Sequence, residues 1–455
     1  MGTDTTSVAE QLGAALGGRV ASLRRLSGGA SRVTSAFDLE TPSGTVRELI
    51  LQQVRAAGPA PRPDIRMEAG LLRAARGVGV PVPDVVAAGT ADGLPPGWLV
   101  VERLAGETIP RRILRDEGLA AVRPALVDQT ARALAAIHAI DPATIPGLPP
   151  TDPLGRPLDF LDGLHEVRPV IELGARWLAH GRPPDDERVV VHGDFRMGNF
   201  LIDATGLRAV LDWELAHQGD PAEDIGWLCA RAWRFGGPGR VGGFGDVDRF
   251  LATYADAGGR TVDADRIRWW EAYATVKWAV VCLLQASTHL SGATRSVELA
   301  ALGRRVCESE WDLLALMGVA MPTVPGPESG AGPDEVGDGR PAGWSPLFGR
   351  PSLAELVEAV RGYLDQVMAS ADGGARFEAR VAGNVLTIVG RQLELGPTLQ
   401  AAHAQRLRTL GFGDDPTLAA AIRAGRYDDD LRGLGAVLAE GTRDQLLVAN
   451  PSYLG

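Results

Sequence analysis

The stretch His192-Gly193-Asp194-Phe195-Arg196-Met197-Gly198-Asn199 constrains this chain more than any other. Thirteen residues after Asn199 stands Asp212, inside Val210-Leu211-Asp212-Trp213-Glu214. The pattern is HGDxxxxN, an apolar strand, then an Asp. It requires a fold that gathers two carboxylates and an amide into one small volume. Asp194 is placed to orient a hydroxyl and take its proton. Asn199 and Asp212 supply hard oxygens, the ligands a Mg²⁺ ion prefers. Phosphoryl transfer from ATP needs these parts, because its catalysis is mostly positioning and electrostatic stabilisation.

Composition narrows the setting. The chain has 455 residues, 45% of them apolar and 23% charged, so it can bury sizeable cores in two or three domains. A net charge of −11 argues against nucleic acid or an anionic membrane as partner. The three cysteines, Cys229, Cys282 and Cys307, form no CxxC pair, so neither a zinc site nor a disulfide framework is expected. The start, Met1-Gly2-Thr3-Asp4-Thr5, lacks a basic region followed by an apolar core, and no apolar run is long enough to span a bilayer. A cytoplasmic, reducing location is expected.

Along the chain, residues 7–24 read as an amphipathic helix. A glycine turn follows at Leu26–Ser31, and strands at Thr34–Leu39 and Val46–Val54. Residues 64–76 carry Ile65, Ala69, Leu72 and Ala75 at helical spacing. Trp98–Glu102 reads as a buried strand. Residues 1–104 therefore form a small α+β lobe. Residues 105–321 form a helix-rich lobe, with helices at 118–140, 246–257, 263–288 and 295–317. Short strands at Val189–Val191 and Ala209–Leu211 flank the catalytic stretch. Residues 322–351 hold seven Pro and seven Gly and read as a linker. After it, Ser352 and Glu355 form a capping box that opens a helix. Residues 352–371, 375–411 and 430–450 make residues 352–455 a separate, mostly α domain.

Other residues admit two readings. Gly28 and Gly29, with Ser27, Ala30 and Ser31, either cradle phosphates with backbone N–H groups or form a plain hairpin turn. Glu68 either pairs with a basic phosphate-binding residue or is a solvated helix Glu. His192 holds the loop rather than doing chemistry. Asp220 reads as a helix N-cap with Pro221 at N1, and Asp224 as a residue that bonds back to the catalytic loop. Trp269, Tyr273 and Lys277 share a helical face; with Arg231, Trp233, Trp270, Trp278 and His289 they form either core or an acceptor pocket.

These residues together resemble the aminoglycoside phosphotransferase / choline kinase superfamily over residues 20 to about 317. The resemblance implies a bilobal protein-kinase-like fold, ATP and Mg²⁺ as cofactors, Asp194 as base, and Asn199 and Asp212 as metal ligands. It also implies a phosphate loop at Ser27–Ser31 and an adenine-binding hinge at Glu102, Arg103 and Leu104. A Lys or Arg that pairs with Glu68 belongs on Leu49–Arg55; the aligned residue is Gln52, with Arg47 or Arg55 as substitutes. The form Asp212-Trp213-Glu214-Leu215-Ala216 resembles the phosphotransferases that accompany acyl-CoA dehydrogenases. That branch implies a small hydroxyl acceptor, specifically a hydroxyacyl-CoA, and a functional link to such a dehydrogenase. The residues after 350 resemble a helical domain of unknown function found beside them. An antibiotic or small-alcohol kinase and a non-catalytic nucleotide-binding scaffold are the alternatives.

Overall fold

The computed structural model describes residues 5–26, 32–54, 65–89, 97–150, 155–164, 166–184, 188–323 and 351–455. The chain forms two compact units. The first holds residues up to 151 and 183–271; the second holds residues 152–182 and 272–455.

In the first unit, α1 (Thr5–Leu16) leads into β1 (Arg19–Arg25), β2 (Arg32–Glu40) and β3 (Val46–Val54). The expected helix over 7–24 is therefore corrected: it stops at Leu16. Gly17, at φ 67°, takes the left-handed conformation that ends a helix. The chain then pairs with β2, Arg19 opposite Glu40 and Arg25 opposite Ser35. After α2 (Ile65–Gly77), β4 (Val85–Gly89) and β5 (Trp98–Glu102) complete an antiparallel sheet in the order β1-β2-β3-β5-β4. Two-residue periodicity gives it two apolar faces. Phe37, Leu39, Leu49, Leu51, Trp98 and Val100 pack with Val8 and Leu12 of α1. Leu99 and Val101 turn the other way, toward Leu71 and Leu72 of α2. β4 was not read from sequence, because all five of its residues are only half-buried and show no alternation.

Helices α3 (Pro110–Arg115) and α4 (Arg123–His138) follow. Helices α5 (Gly155–Gly163) and α6 (Pro169–His180) belong to the second unit. The chain returns to the first with β6 (Val189–Val191), β7 (Phe200–Asp203), β8 (Gly206–Val210) and β9 (His217–Gly219). These make two antiparallel pairs, β6 with β9 and β7 with β8. α7 (Ala222–Cys229) and α8 (Val247–Asp256) come next, then α9 (Ala264–Leu290), which passes from the first unit into the second.

The second unit continues with α10 (Val297–Arg304), α11 (Val306–Leu316), α12 (Leu353–Ser370), α13 (Gly373–Leu410), α14 (Asp415–Arg423) and α15 (Leu431–Ala449). The single helix expected over 295–317 is two. Arg305, whose guanidinium forks onto Glu308 at 2.8 and 2.9 Å, ends one and begins the other. The Ser352–Glu355 capping box is present. Cys307 and Trp311 of α11 pack on Leu446 of α15. Arg176 of α6 pairs with Asp428, and Arg423 of α14 with Glu172 of α6. All three cysteines are buried thiols, and burial pushes each up to about 12. Among the described residues no helix is long and apolar enough to cross a membrane.

Helix α7 passes close to α9 at Gly226. A Cβ there would lie 2.6 Å from the Trp270 carbonyl carbon and 2.7 Å from the Glu271 nitrogen of α9. Both are backbone atoms and cannot rotate away. Gly226→Ala is expected to destabilise the protein by about 1–3 kcal/mol, the ordinary range for overpacking, read as a lower denaturation midpoint at unchanged m-value.

Candidate active site

The two small strand pairs explain how residues distant in sequence meet. β6–β9 sets Val191 opposite His217, so the segments after β6 and before β9 start side by side. β7–β8 sets Phe200 opposite Val210, and the Leu211 N–H donates to the Asn199 carbonyl at 2.8 Å. Asn199 and Asp212 are thus brought together by a hairpin, and the loop from His192 to Gly198 lies between the two ladders.

One carboxylate fixes that loop. Asp224, in the first turn of α7, is fully buried. It accepts the backbone N–H of His192 at 2.7 Å and of Gly193 at 2.9 Å. His138 approaches it through Nε2 at 3.2 Å and accepts or donates at Nδ1 to the Tyr254 hydroxyl, 2.7 Å away. Burial alone would raise the Asp224 pKa. The His138 hydrogen bond, the neighbouring imidazoles and the His192 N–H outweigh it and hold the carboxyl below its usual range. Gly193 is obligatory in this turn: φ is 79°, and a Cβ would lie 2.4 Å from the Leu215 carbonyl oxygen. His192 is fully buried against Trp213, at 4.7 Å between ring centroids. Its Nδ1 accepts the Asp194 N–H at 3.2 Å, and burial holds its pKa down, so it is neutral.

Asp194 is buried and has three donors. Trp227 Nε1 and Arg196 Nε reach Oδ1 at 2.7 and 2.8 Å; Asn199 Nδ2 reaches Oδ2 at 2.6 Å. Asn199 Nδ2 also donates to the Asp194 carbonyl at 3.0 Å. Since the amide nitrogen faces Asp194, Asn199 Oδ1 points elsewhere. Arg196 lies over the Trp233 ring at 4.2 Å, which fixes its plane. Arg196 and Trp227 were missed as parts of a site, while Trp233 had been read as core or acceptor pocket. Arg196 stands inside the motif, so its presence there was the available signal; Trp227 had none.

Asp212 has φ 66°, a left-handed backbone that costs a non-glycine residue on the order of 1 kcal/mol and gathers at functional sites. Among the described residues none donates a hydrogen bond to its carboxylate. Burial first, then the charges of Glu214 and Asp194, push its pKa up to about 7. Arg32 pairs with Glu68 and Glu214, and Arg196 with Asp194. No three His, Cys, Asp or Glu side chains form a metal cage among the described residues. The Asp212 carboxylate, without a hydrogen-bond donor among the described residues, and the turned-out Asn199 amide oxygen fit a hydrated divalent cation that takes its other ligands from a phosphate.

The expected cation on β3 is not there. Glu68, buried on α2, is bound instead by Arg32 on β2, at 2.9 and 2.5 Å. Arg32 Nη1 also donates to Gln52 Oε1 at 3.0 Å, and Nε lies 3.0 Å from Glu214 Oε2. The β2–β3 register explains the exchange: Thr34 faces Gln52 and Arg32 faces Val54, so Arg32 and Gln52 are diagonal neighbours on one face. Arg47 is exposed and Arg55 lies outside the described residues. So do Ser27, Gly28, Gly29, Ala30 and Ser31. At the expected hinge, the N–H groups of Glu102 and Arg103 are taken by the carbonyls of Asp84 and Glu48, at 2.9 and 3.1 Å. The Leu104 N–H has no partner among the described residues. Asp220 caps the Ala222 N–H at 2.8 Å and pairs with Arg266 at 2.6 Å, while Pro221 rather than Asp220 is the cap residue of α7. Trp269 and Trp270 are buried edge to face, 4.8 Å apart, and Tyr273 is buried too.

Comparison with known proteins agrees with this geometry. The phosphotransferase enzyme family matches residues 22–270, more than half of the chain. A domain of unknown function, DUF6285, matches residues 369–453. Acyl-CoA dehydrogenase family member 11 of Gallus gallus is 44% identical over 66 residues, 14% of this chain and 8% of that protein. Family member 10 of Mus musculus is 38% identical over 63 residues, 13% and 6% respectively. The chain thus spans less than a tenth of the length of these curated relatives. A Ralstonia eutropha structure, provisionally assigned as an aminoglycoside phosphotransferase, superposes with a TM-score of 0.53 at 22% identity, over 68% of this chain and 98% of its own. That likeness shows a shared kinase-like fold. With the family matched across the sheet, the catalytic loop and Asp212, the chain belongs to the phosphotransferase enzyme family.

Proposed function

We propose that this protein transfers the γ-phosphoryl group of ATP to a hydroxyl of a small molecule, and that the acceptor is a hydroxyacyl-CoA. The observation that carries the reading is the state of the Asp194 carboxylate. A carboxylate oxygen has two acceptor sites. Both on Oδ1 are filled, by Trp227 and Arg196; one on Oδ2 is filled by Asn199. The remaining site on Oδ2 is where a substrate hydroxyl would dock and leave its proton as its oxygen bonds to phosphorus. Arg196, held between Asp194 and the Trp233 face, orients the carboxylate.

Arg32 is our candidate for the phosphate anchor in place of Gln52, with Glu68 orienting it. Leu104, beside Glu102 and Arg103, offers its N–H to the adenine edge. Asn199 and Asp212 would hold Mg²⁺, which when bound neutralises phosphate charge. The acceptor class is supported by the matched stretches in acyl-CoA dehydrogenase family members 10 and 11. A mass-shift screen with hydroxyacyl-CoAs and aminoglycosides tests it. Turnover of aminoglycosides alone would replace the acceptor; ATP binding with no phosphorylated product would favour a scaffold.

Three outcomes follow from the site. Asp194→Asn turns one of two acceptor oxygens into a donor facing donors, and is expected to lower kcat by at least about 10²-fold, with little change in the KM for ATP. Arg32→Gln is expected to lower kcat/KM for ATP by about 10²-fold, and Arg32→Gln with Gln52→Arg to recover a large part of it. A double variant no better than the single would remove Arg32 from the phosphate role. For Asp212 the sign is as follows: its folded pKa, about 7, lies above the ordinary carboxylate value. In metal-free protein its contribution to stability is present at low pH and lost as pH rises through about 7. Cation binding needs the ionised form, so the Mg²⁺ concentration for half-maximal rate should fall between pH 6 and 8. Thermal melts with and without Mg²⁺ across that range check both.

A further inference from the structure

Three donors hold the Asp194 carboxylate, and they differ in what they are fixed to. Arg196 Nε and Asn199 Nδ2 come from the same loop as Asp194, two and five residues further on. They set the carboxylate relative to that loop and travel with it. Trp227 Nε1, which reaches Oδ1 at 2.7 Å, comes from α7, 33 residues away. Among the described residues it is the one donor to this carboxylate from outside the loop. An Asp side chain ends in a torsion with a broad, two-fold preference, so its two oxygens are told apart only by what binds them.

Helix α7 thereby grips Asp194 at two levels. Asp224 and Trp227 are one turn apart, on one face of the helix. Asp224 takes the N–H groups of His192 and Gly193, which fixes the backbone leading into Asp194. Trp227 takes the carboxylate itself. The indole has little room to follow a moving loop: it is 4% exposed and lies against Trp233, at 5.1 Å between ring centroids. Trp233 in turn carries the Arg196 guanidinium on its face at 4.2 Å. Both donors to Oδ1 are thus referred to one pair of packed indoles, while the open acceptor site stays on Oδ2.

A tryptophan that served the core alone would be satisfied by any carbonyl oxygen. This one spends its N–H on the candidate base. An indole N–H also carries no formal charge, so it directs Oδ1 without adding a second cation to a carboxylate that must accept a proton.

We propose that Trp227 is a positioning residue for phosphoryl transfer: its N–H holds Oδ1 away from the acceptor and leaves Oδ2 as the oxygen that takes the proton. The proposal rests on Asp194 as the base. In the step so arranged, the acceptor O–H bond breaks and its proton passes to Oδ2. The acceptor oxygen bonds to the γ-phosphorus, and ADP leaves with the electrons of the broken P–O bond.

Site-specific replacement of Trp227 by benzothienylalanine in the full chain tests it, because sulfur takes the place of the N–H and the ring outline is kept. Rates are read with γ-hydroxybutyryl-CoA as acceptor, or as ATP hydrolysis where that thioester is not phosphorylated. The kcat is expected to fall by about 10–100-fold, the scale of a misplaced reacting group, with the KM for ATP within about twofold of native. A ring-fluorinated tryptophan, which keeps the N–H, is expected to restore most of the rate. A native kcat in the benzothienyl variant overturns the proposal. So does a loss shared equally by kcat and the affinity for ATP, which marks a merely structural role. The indole N–H resonance of Trp227, assigned by its contacts to the Trp233 ring, gives a second test in the native chain. It is expected downfield, and upfield of that position in Asp194→Asn; a resonance that does not move overturns the proposal too. Asp194→Asn also separates the two claims. Native turnover in that variant removes the base itself, whereas a slow Asp194→Asn beside an unimpaired benzothienyl variant removes only the role of Trp227.

Discussion

The loop from His192 to Asn199 depends on a single buried carboxylate. Asp224 has no access to solvent, yet it is ionised because two backbone N–H groups and an imidazole converge on it. Its position at the start of α7 adds the partial positive charge of a helix N-terminus. Moving α7 would therefore move the His192–Gly193 turn, and with it the direction of Asp194. The close approach of α7 to α9 at Gly226 makes such a shift difficult. A chain of rigid contacts thus runs from a helix–helix packing detail to the orientation of one carboxylate oxygen.

Much of this was legible in the sequence, and the reason differs by region. The HGDxxxxN stretch and Asp212 could be read because their spacing is dictated by a loop and a hairpin, both local. The strands Val46–Val54 and Trp98–Glu102 and the Ser352–Glu355 box were legible for the same reason. What failed depended on pairing. Residues 19–25 have helical spacing but are claimed by β2; β4 has no pattern of its own; Arg305 closes one helix and opens the next. Trp227 was invisible because its role comes from proximity across 33 residues.

Arg32 is the most instructive case. The reading by alignment looked along one strand and found Gln52 where a cation belongs. The fold needs a positive charge at a point in space, not at a position in a strand. Two adjacent strands offer two ways to reach it, and Gln52 accepts a hydrogen bond from the Arg32 that pairs with Glu68. Substitution patterns that look like loss in one dimension can be exchange in two.

The exchange has a mechanical consequence. Arg32 follows Ser27–Ser31 directly in the chain, so the glycine-rich stretch and the guanidinium are joined by one peptide bond. In the expected arrangement the cation stands on a separate strand and feels that stretch only through the sheet. Here the first residue of β2 carries the Arg32–Glu68–Glu214 ion group itself. The start of β2 and the pairing of two buried carboxylates therefore depend on one side chain.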